Sequence, residues 1–288
     1  MSRVYESLKR AEMERRQPGA SGHQTVGPAE LLSGLIAQPV ELEGASSAAI
    51  DVPSGSRLVA MADPKCLASE KFRALATRLE NLRNERNLKS LLVTSSVINE
   101  GKTFVAGNLA VTLAKHSGIR VLLVEGDLHR PALGALLGLT GLRGLSHWWL
   151  GREENIAPYV YKLNDMPMWF LSAGEPGDHP SQILQSPRFA GTFARLCGSF
   201  DWIVVDSTPV LPTADVNLWA RLVDGMLLVV RAGVAPIEAL KKGLASLDNP
   251  KLVGIVLNEA SEFDQGKYAG QYYGTPKHAK NSLGDEKK

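Results

Sequence analysis

The 288-residue chain has only two cysteines, Cys66 and Cys197, and they stand in no metal-ligand or redox spacing. That excludes a disulfide framework and a zinc module, and it fits a reducing compartment in which thiols serve packing. Apolar runs stay under about ten residues, against the roughly 20 that a membrane span needs. The opening MSRVYESLKRAEMERR is charged where a secretory leader is apolar. The expectation is a cytoplasmic protein with no direct membrane span. Charge of one sign is also missing: 32 Lys and Arg against 30 Asp and Glu leave a net charge of +2. A DNA- or RNA-binding role gains nothing from that balance, so no nucleic acid partner is expected. Internal repeats and a nucleophile triad are absent too.

What the sequence does contain centres on Leu91 to Thr103, LLVTSSVINEGKT. A short apolar run breaks into small polar residues and ends in Gly101-Lys102-Thr103. A strand, a loop and a Gly-Lys-Thr opening a helix form a phosphate cradle. Loop N–H groups and the helix N-terminus face oxyanions, Lys102 reaches the outer phosphates, and Thr103 offers a hydroxyl to Mg2+. The pattern G-x-x-x-x-G-K-[ST] asks for glycine at position 96, where this chain has Ser96.

Around that stretch the chain divides into four parts. Residues 1–16 place Val4, Leu8 and Ala11 at helical spacing among charges, which predicts a short amphipathic helix, either solvated or docked to a partner. Residues 17–60, rich in Gly, Ser, Pro and Ala, read as a flexible linker. Residues 61–262 read as the folded domain and 263–288 as a flexible tail. Within the domain, Leu67 to Arg86 carries Phe72, Leu75, Leu79 and Leu82 at spacings of three and four, an amphipathic helix. Strands are expected at Ser90–Thr94, Arg120–Val124, Met168–Ser172, Trp202–Val205, Met226–Val230 and Leu252–Leu257, with helical stretches between them. That alternation predicts an α/β fold, a mostly parallel sheet covered by helices on both faces.

Right-handed crossovers would then gather Ser96, Glu125, Asp206 and Asn258 at one edge of the sheet. Asp206 follows an apolar strand in the position of a Walker B aspartate, which helps hold the metal. Glu125 and Asp127 add two carboxylates at another strand end, one to orient metal-bound water and one to accept a proton.

These residues resemble the bacterial tyrosine kinases of capsule and exopolysaccharide synthesis, P-loop proteins related to the chromosome-partitioning and septum-placing ATPases. The resemblance runs from about Leu67 to Tyr273, and four blocks carry it. SSVINEGKT is similar to the family's S-x-P-G-E-G-K-[ST], which itself lacks the first glycine. VLLVEGDLHRP is similar to the second acidic motif, D-x-D-x-R followed by R-P. WIVVDSTPVLPTAD is similar to the Walker B strand with D-[ST]-x-P, and VDGMLLVVRAG with LVGIVLN to the last two strands.

The resemblance implies an ATP- and Mg2+-dependent autokinase that phosphorylates tyrosines in its own tail, here Tyr268, Tyr272 and Tyr273. The implied partners are further copies of the chain and an activating membrane polysaccharide co-polymerase. It implies phosphate contacts from Ser96, Asn99, Glu100, Gly101, Lys102, Thr103 and Phe104, and adenine against Asn258. Thr103, Asp127 and Asp206 would hold the metal, and Glu125 would be the base toward the tyrosyl hydroxyl. The departures are Ile98-Asn99 for Pro-Gly, Glu125 for Asp, His129 for Arg beside a retained Arg130, and Ala76 in the oligomerisation pattern E-x-x-R-x-x-R that begins at Glu70 and Arg73. They motivate two alternatives: a nucleotide-binding regulatory subunit with weak phosphoryl transfer, and a partitioning-type ATPase.

Overall fold

A computed structural model describes residues 39–260, apart from 44, 51, 54, 164–165, 178–179, 212–213, 235 and 248–250. The amphipathic helix expected over 1–16 and the tail tyrosines lie outside these residues.

Eight strands are described: β1 (Ser47–Ala48), β2 (Ser90–Ser95), β3 (Val121–Glu125), β4 (Val160–Leu163), β5 (Met168–Leu171), β6 (Trp202–Asp206), β7 (Gly225–Arg231) and β8 (Leu252–Asn258). They form one sheet in the order β1-β4-β5-β3-β6-β2-β7-β8. Every neighbouring pair is parallel except β4 with β5. The helices are α1 (Val59–Ala62), α2 (Leu67–Arg86), α3 (Lys102–Ser117), α4 (Leu133–Leu136), α5 (Leu145–Leu150), α6 (Pro180–Gln185), α7 (Pro187–Ser199), α8 (Asp215–Leu222) and α9 (Ile237–Ala245).

The central strands are buried from end to end, as near-continuous apolar runs must be when both sheet faces are covered. Successive side chains point to opposite faces and feed two separate cores. Leu91, Val93, Val121, Leu123, Trp202 and Val204 pack against α2 and α3 through Phe72, Leu79, Val105 and Leu109. Leu92, Leu122, Val124, Ile203 and Val205 face the other way, toward Trp148, Phe189, Phe193 and Trp219 of α5, α7 and α8. In that second core the rings of Phe189 and Phe193 meet Trp219 edge-on at 5.5 and 5.7 Å. The α/β architecture expected from the strand pattern is therefore the one observed.

One expectation needs correction. The sequence from 39 to 60 does not behave as linker. Val40, Ile50 and Leu58 are buried, β1 adds to the sheet edge in register Ser47↔Lys162, and Val40 exchanges hydrogen bonds with the Ser199 hydroxyl. The small-residue composition concealed a few well-spaced apolar anchors. No described helix is long and apolar enough to cross a membrane.

In α2, Glu70 and Arg73 form an exposed ion pair within the helix, while Ala76 is fully buried in the core. The third position of the oligomerisation pattern thus faces the sheet. A long charged side chain at this position would have to displace the core around Ala76.

Candidate functional site

The loop between β2 and α3 turns on two residues with left-handed backbone, Asn99 at φ 63° and Gly101 at φ 95°. Asparagine tolerates that region better than most residues, so it can stand in for the family's glycine at position 99. Inside the loop, the Glu100 carboxylate is fully buried. It accepts from Val97 N at 2.9 Å and from Arg231 N at 3.2 Å. Asn258 at the end of β8 donates its amide to the Glu100 carbonyl at 2.9 Å. The loop is thereby fastened to the ends of β7 and β8.

Lys102, the first residue of α3, points back across the loop to Asp127, its Nζ 3.4 Å from Oδ2. The other Asp127 oxygen accepts from Arg130 N at 3.0 Å, which folds the 127–130 segment into a tight turn. Asp206 ends β6 beside Glu125, its register partner on β3. Burial pushes its pKa up to about 7, against the opposing pull of Lys102 and the nearby Thr103 hydroxyl. Its Oδ1 is buried without a hydrogen-bond partner, and so is the Ser96 hydroxyl. An orphaned carboxylate oxygen at the strand end beside Lys102 fits a missing polar occupant. A magnesium ion beside Asp206 and Thr103, with phosphate oxygens near Ser96, fits that donor set. Among the described residues no three His, Cys, Asp or Glu side chains cluster as a metal cage. Such a cation would therefore take much of its shell from phosphate and water, as Mg2+ commonly does.

The other expected site residues sort differently. Glu125 is buried, and its carboxylate accepts four hydrogen bonds: Oε1 from Leu133 N at 2.7 Å and Gly134 N at 3.0 Å, Oε2 from the Ser172 hydroxyl and Ala173 N, both at 3.1 Å. Four is the whole acceptor capacity of a carboxylate. In this arrangement the Glu125 carboxylate, expected to take the tyrosyl proton, is turned into the protein with its acceptor positions filled. The Phe104 ring packs on Phe72 of α2, edge-on at 5.6 Å, and lies under the Arg57 guanidinium at 5.9 Å, so the side chain supports the helix that carries Lys102 and Thr103, and any phosphate contact from this residue falls to its backbone N–H.

Sequence reasoning missed Asp215. This residue closes the motif WIVVDSTPVLPTAD at the start of α8, and it is buried. It accepts from the Ser181 hydroxyl at 2.6 Å and pairs with His129 Nε2 at 2.9 Å. The histidine that replaces the family's arginine is thus held by a buried carboxylate from another element. The motif's last aspartate was a visible signal, without an assigned partner.

A parallel sheet whose loop after β2 opens a Gly-Lys-Thr helix, with a Walker B aspartate on the neighbouring strand, defines a P-loop nucleotide-binding α/β protein. No family model matches the sequence. Tyrosine-protein kinase YwqD of Bacillus subtilis (strain 168) is 30% identical over 227 residues, 77% of this chain and 94% of that protein. Succinoglycan biosynthesis transport protein ExoP of Rhizobium meliloti (strain 1021) is 29% identical over 220 residues, 74% of this chain but 28% of that longer protein. The kinase domain of the Escherichia coli tyrosine kinase ETK shares the fold with a TM-score of 0.65 at 25% identity, covering 76% of this chain and 93% of that domain. The chain belongs to the bacterial tyrosine-protein kinase family.

Proposed function

We infer that the chain is an ATP-dependent protein-tyrosine autokinase that regulates the assembly and export of an exopolysaccharide or capsule. The observation that carries this reading is the cradle itself: Thr103 near Asp206, an unpartnered buried Asp206 oxygen, and Lys102 aimed at Asp127. In the reaction, a bond forms between a tyrosyl oxygen and the γ-phosphorus of ATP, the bond to the β–γ bridging oxygen breaks, and ADP and one proton leave. Such a transfer asks the protein mainly for positioning and charge stabilisation. When bound, Mg2+ would neutralise charge on the phosphates. Lys102 answers the outer phosphates, the loop N–H groups from Asn99 to Thr103 cradle them, and Asp127 holds Lys102 in place. Asn258, tied to the loop at Glu100, stands at the edge proposed for adenine. Asp206 and Thr103, with Asp127 close to Lys102, are the residues proposed to hold the metal.

The proposed acceptors are Tyr268, Tyr272 and Tyr273, which follow β8 in the sequence within one tryptic peptide, YAGQYYGTPK. The names of the relatives support the pathway: ExoP belongs to succinoglycan biosynthesis, and the family resemblance adds a membrane polysaccharide co-polymerase as activator and a homo-oligomer as the working state. On this reading the protein works in the cytoplasm, recruited to the membrane by that partner. A second reading, a nucleotide-binding regulatory subunit with weak transfer, draws on the saturated Glu125 carboxylate.

Mass spectrometry of the tail peptide after incubation with magnesium-ATP, with Lys102→Ala alongside, separates the two. Phosphate on the parent peptide and none on the variant is the autokinase result. An unmodified peptide from protein that binds ATP, also with a candidate partner's cytoplasmic segment present, selects the regulatory subunit.

A further inference from the structure

The saturated carboxylate of Glu125 raises the question of what it does, since a buried charge with no basic partner is costly unless every acceptor is used. Its four donors come from two places. Leu133 N and Gly134 N are the first backbone groups of α4, which a helix leaves without internal partners. Ser172 and Ala173 form the exit of β5. Glu125 itself ends β3, two residues before Asp127. The segment 126–132, which carries Asp127 and Arg130, is therefore bracketed by one side chain. Its start is Glu125, and its end is pinned to the Glu125 carboxylate through α4. Midway, His129 ties the same segment to Asp215 of α8, and the Gly126 amide donates to the Asp206 carbonyl at 2.7 Å.

We propose that Glu125 is a positioning residue for phosphoryl transfer, a buried hub that fixes the Asp127 segment opposite Lys102, and that its length is the reason this chain carries Glu where its family carries Asp. An aspartate would withdraw the carboxylate by about 1.5 Å, one carbon–carbon bond, and the bonds to α4 and to the β5 exit are not both within its reach. Asp127 would then lose the frame that sets its distance to Lys102. A displacement of about 1 Å at a reacting centre costs on the order of a hundredfold in rate. The proposal rests on the kinase reading for its effect on rate; its structural content stands apart from it.

The test uses the full chain and three variants: Glu125→Asp, Glu125→Gln and Ser172→Ala. Hydrogen–deuterium exchange over peptides spanning 126–137 reads the frame without requiring any activity. The expected result is faster exchange there in both Glu125 variants, with the β2–α3 peptides still protected and a fluorescent ATP analogue bound as tightly as by the parent. Tail phosphorylation should then lose kcat by about a hundredfold with KM for ATP little changed, and Asp should rescue no better than Gln. Ser172→Ala, which leaves the carboxylate in place and removes one donor, should shift both readouts in the same direction to a smaller extent. A Glu125→Asp enzyme with near-parental kcat, or a Glu125→Gln enzyme that loses kcat while 126–137 exchanges like the parent, would overturn the proposal and return Glu125 to the role of proton acceptor. A parent that phosphorylates nothing would overturn the kinase reading alone, because the exchange result still decides whether Glu125 holds the segment.

Discussion

A β-carbon on residue 101 would lie 2.2 Å from Asn258 Nδ2. The last residue of β8 and the last loop residue before Lys102 thus approach so closely that a β-carbon at 101 would displace the Asn258 amide, at a backbone angle, φ 95°, that glycine alone adopts without strain. Gly101→Ala should force Asn258 off the Glu100 carbonyl and distort the turn into α3. The expected outcome is a loss of about 2–3 kcal/mol of stability, from left-handed strain of about 1–2 kcal/mol and a hydrogen bond worth about 1. Nucleotide affinity should fall with it. Chemical denaturation and nucleotide titration of the same preparation check the two effects together.

The Asp206 carboxyl predicts how the nucleotide-free protein responds to pH. Its folded pKa, about 7, lies above the ordinary value of 3.8 because burial disfavours the charged form. The folded state therefore binds the proton more tightly than the unfolded state, and stability falls as pH rises from the ordinary value toward 7. Asp206→Asn removes that loss. In the absence of nucleotide the variant should melt several degrees above the parent at pH 8 and close to it at pH 4. Adding magnesium-ATP should raise the parent's Tm and leave the variant's nearly unchanged. Parallel scanning calorimetry at the two pH values, with and without nucleotide, is the measurement, and equal parent and variant Tm at pH 8 would contradict the assignment.

Much of this could be read from the sequence, because the phosphate loop and the strands are local patterns. The Ser90–Ser95 strand, the Gly-Lys-Thr turn and the Asp206 strand end are each set by runs of under ten residues, and their chemistry follows from residue type. What could not be read depends on contacts between distant positions. Glu125 looked like a free base because nothing local announces donors at 133, 134, 172 and 173. Asp215 drew no attention because its partners, His129 and Ser181, are 86 and 34 residues away. Phe104 sits in the motif, yet its packing on Phe72 is a tertiary fact. The 39–60 segment was misread for the converse reason: its composition is that of a linker, and only the sheet edge beside β4 supplies something for its few apolar residues to bury against.

The Asp215 relay gives a contrast between two substitutions. In Asp215→Ala the Ser181 hydroxyl and His129 Nε2 both lose their partner beside a buried void, an expected cost of about 2–3 kcal/mol. Asp215→Asn keeps the shape, since an amide oxygen can accept from one partner while the amide nitrogen donates to the other. It should cost less than about 1 kcal/mol. Urea unfolding of the two variants distinguishes a hydrogen-bond relay from a packing role: an Asn variant as damaged as the Ala variant would mean that the negative charge toward His129, and not the bonding geometry, is what the site requires.

Glu100 offers the sharpest separation of loop shape from phosphate chemistry, because its carboxylate never leaves the interior. It joins Val97 N to Arg231 N, so it couples the phosphate loop to β7 and does not reach a ligand through its side chain. Glu100→Ala leaves two partly buried N–H groups without their partner, each worth up to about 1–3 kcal/mol, and frees the loop from the strand. Lys102→Ala, by contrast, removes a largely buried charge paired with Asp127 and close to Asp206 and leaves the loop's own bonds intact. The expected pattern is a crossed one. Glu100→Ala should lower Tm markedly and weaken ADP and ATP alike, since both need the cradle. Lys102→Ala should leave Tm close to the parent's and weaken ATP more than ADP, since the lysine answers the outer phosphates. If Glu100→Ala melted like the parent while losing ATP selectively, its carboxylate would have to face the nucleotide in solution, and the loop would owe its shape to Asn99 and Gly101 alone.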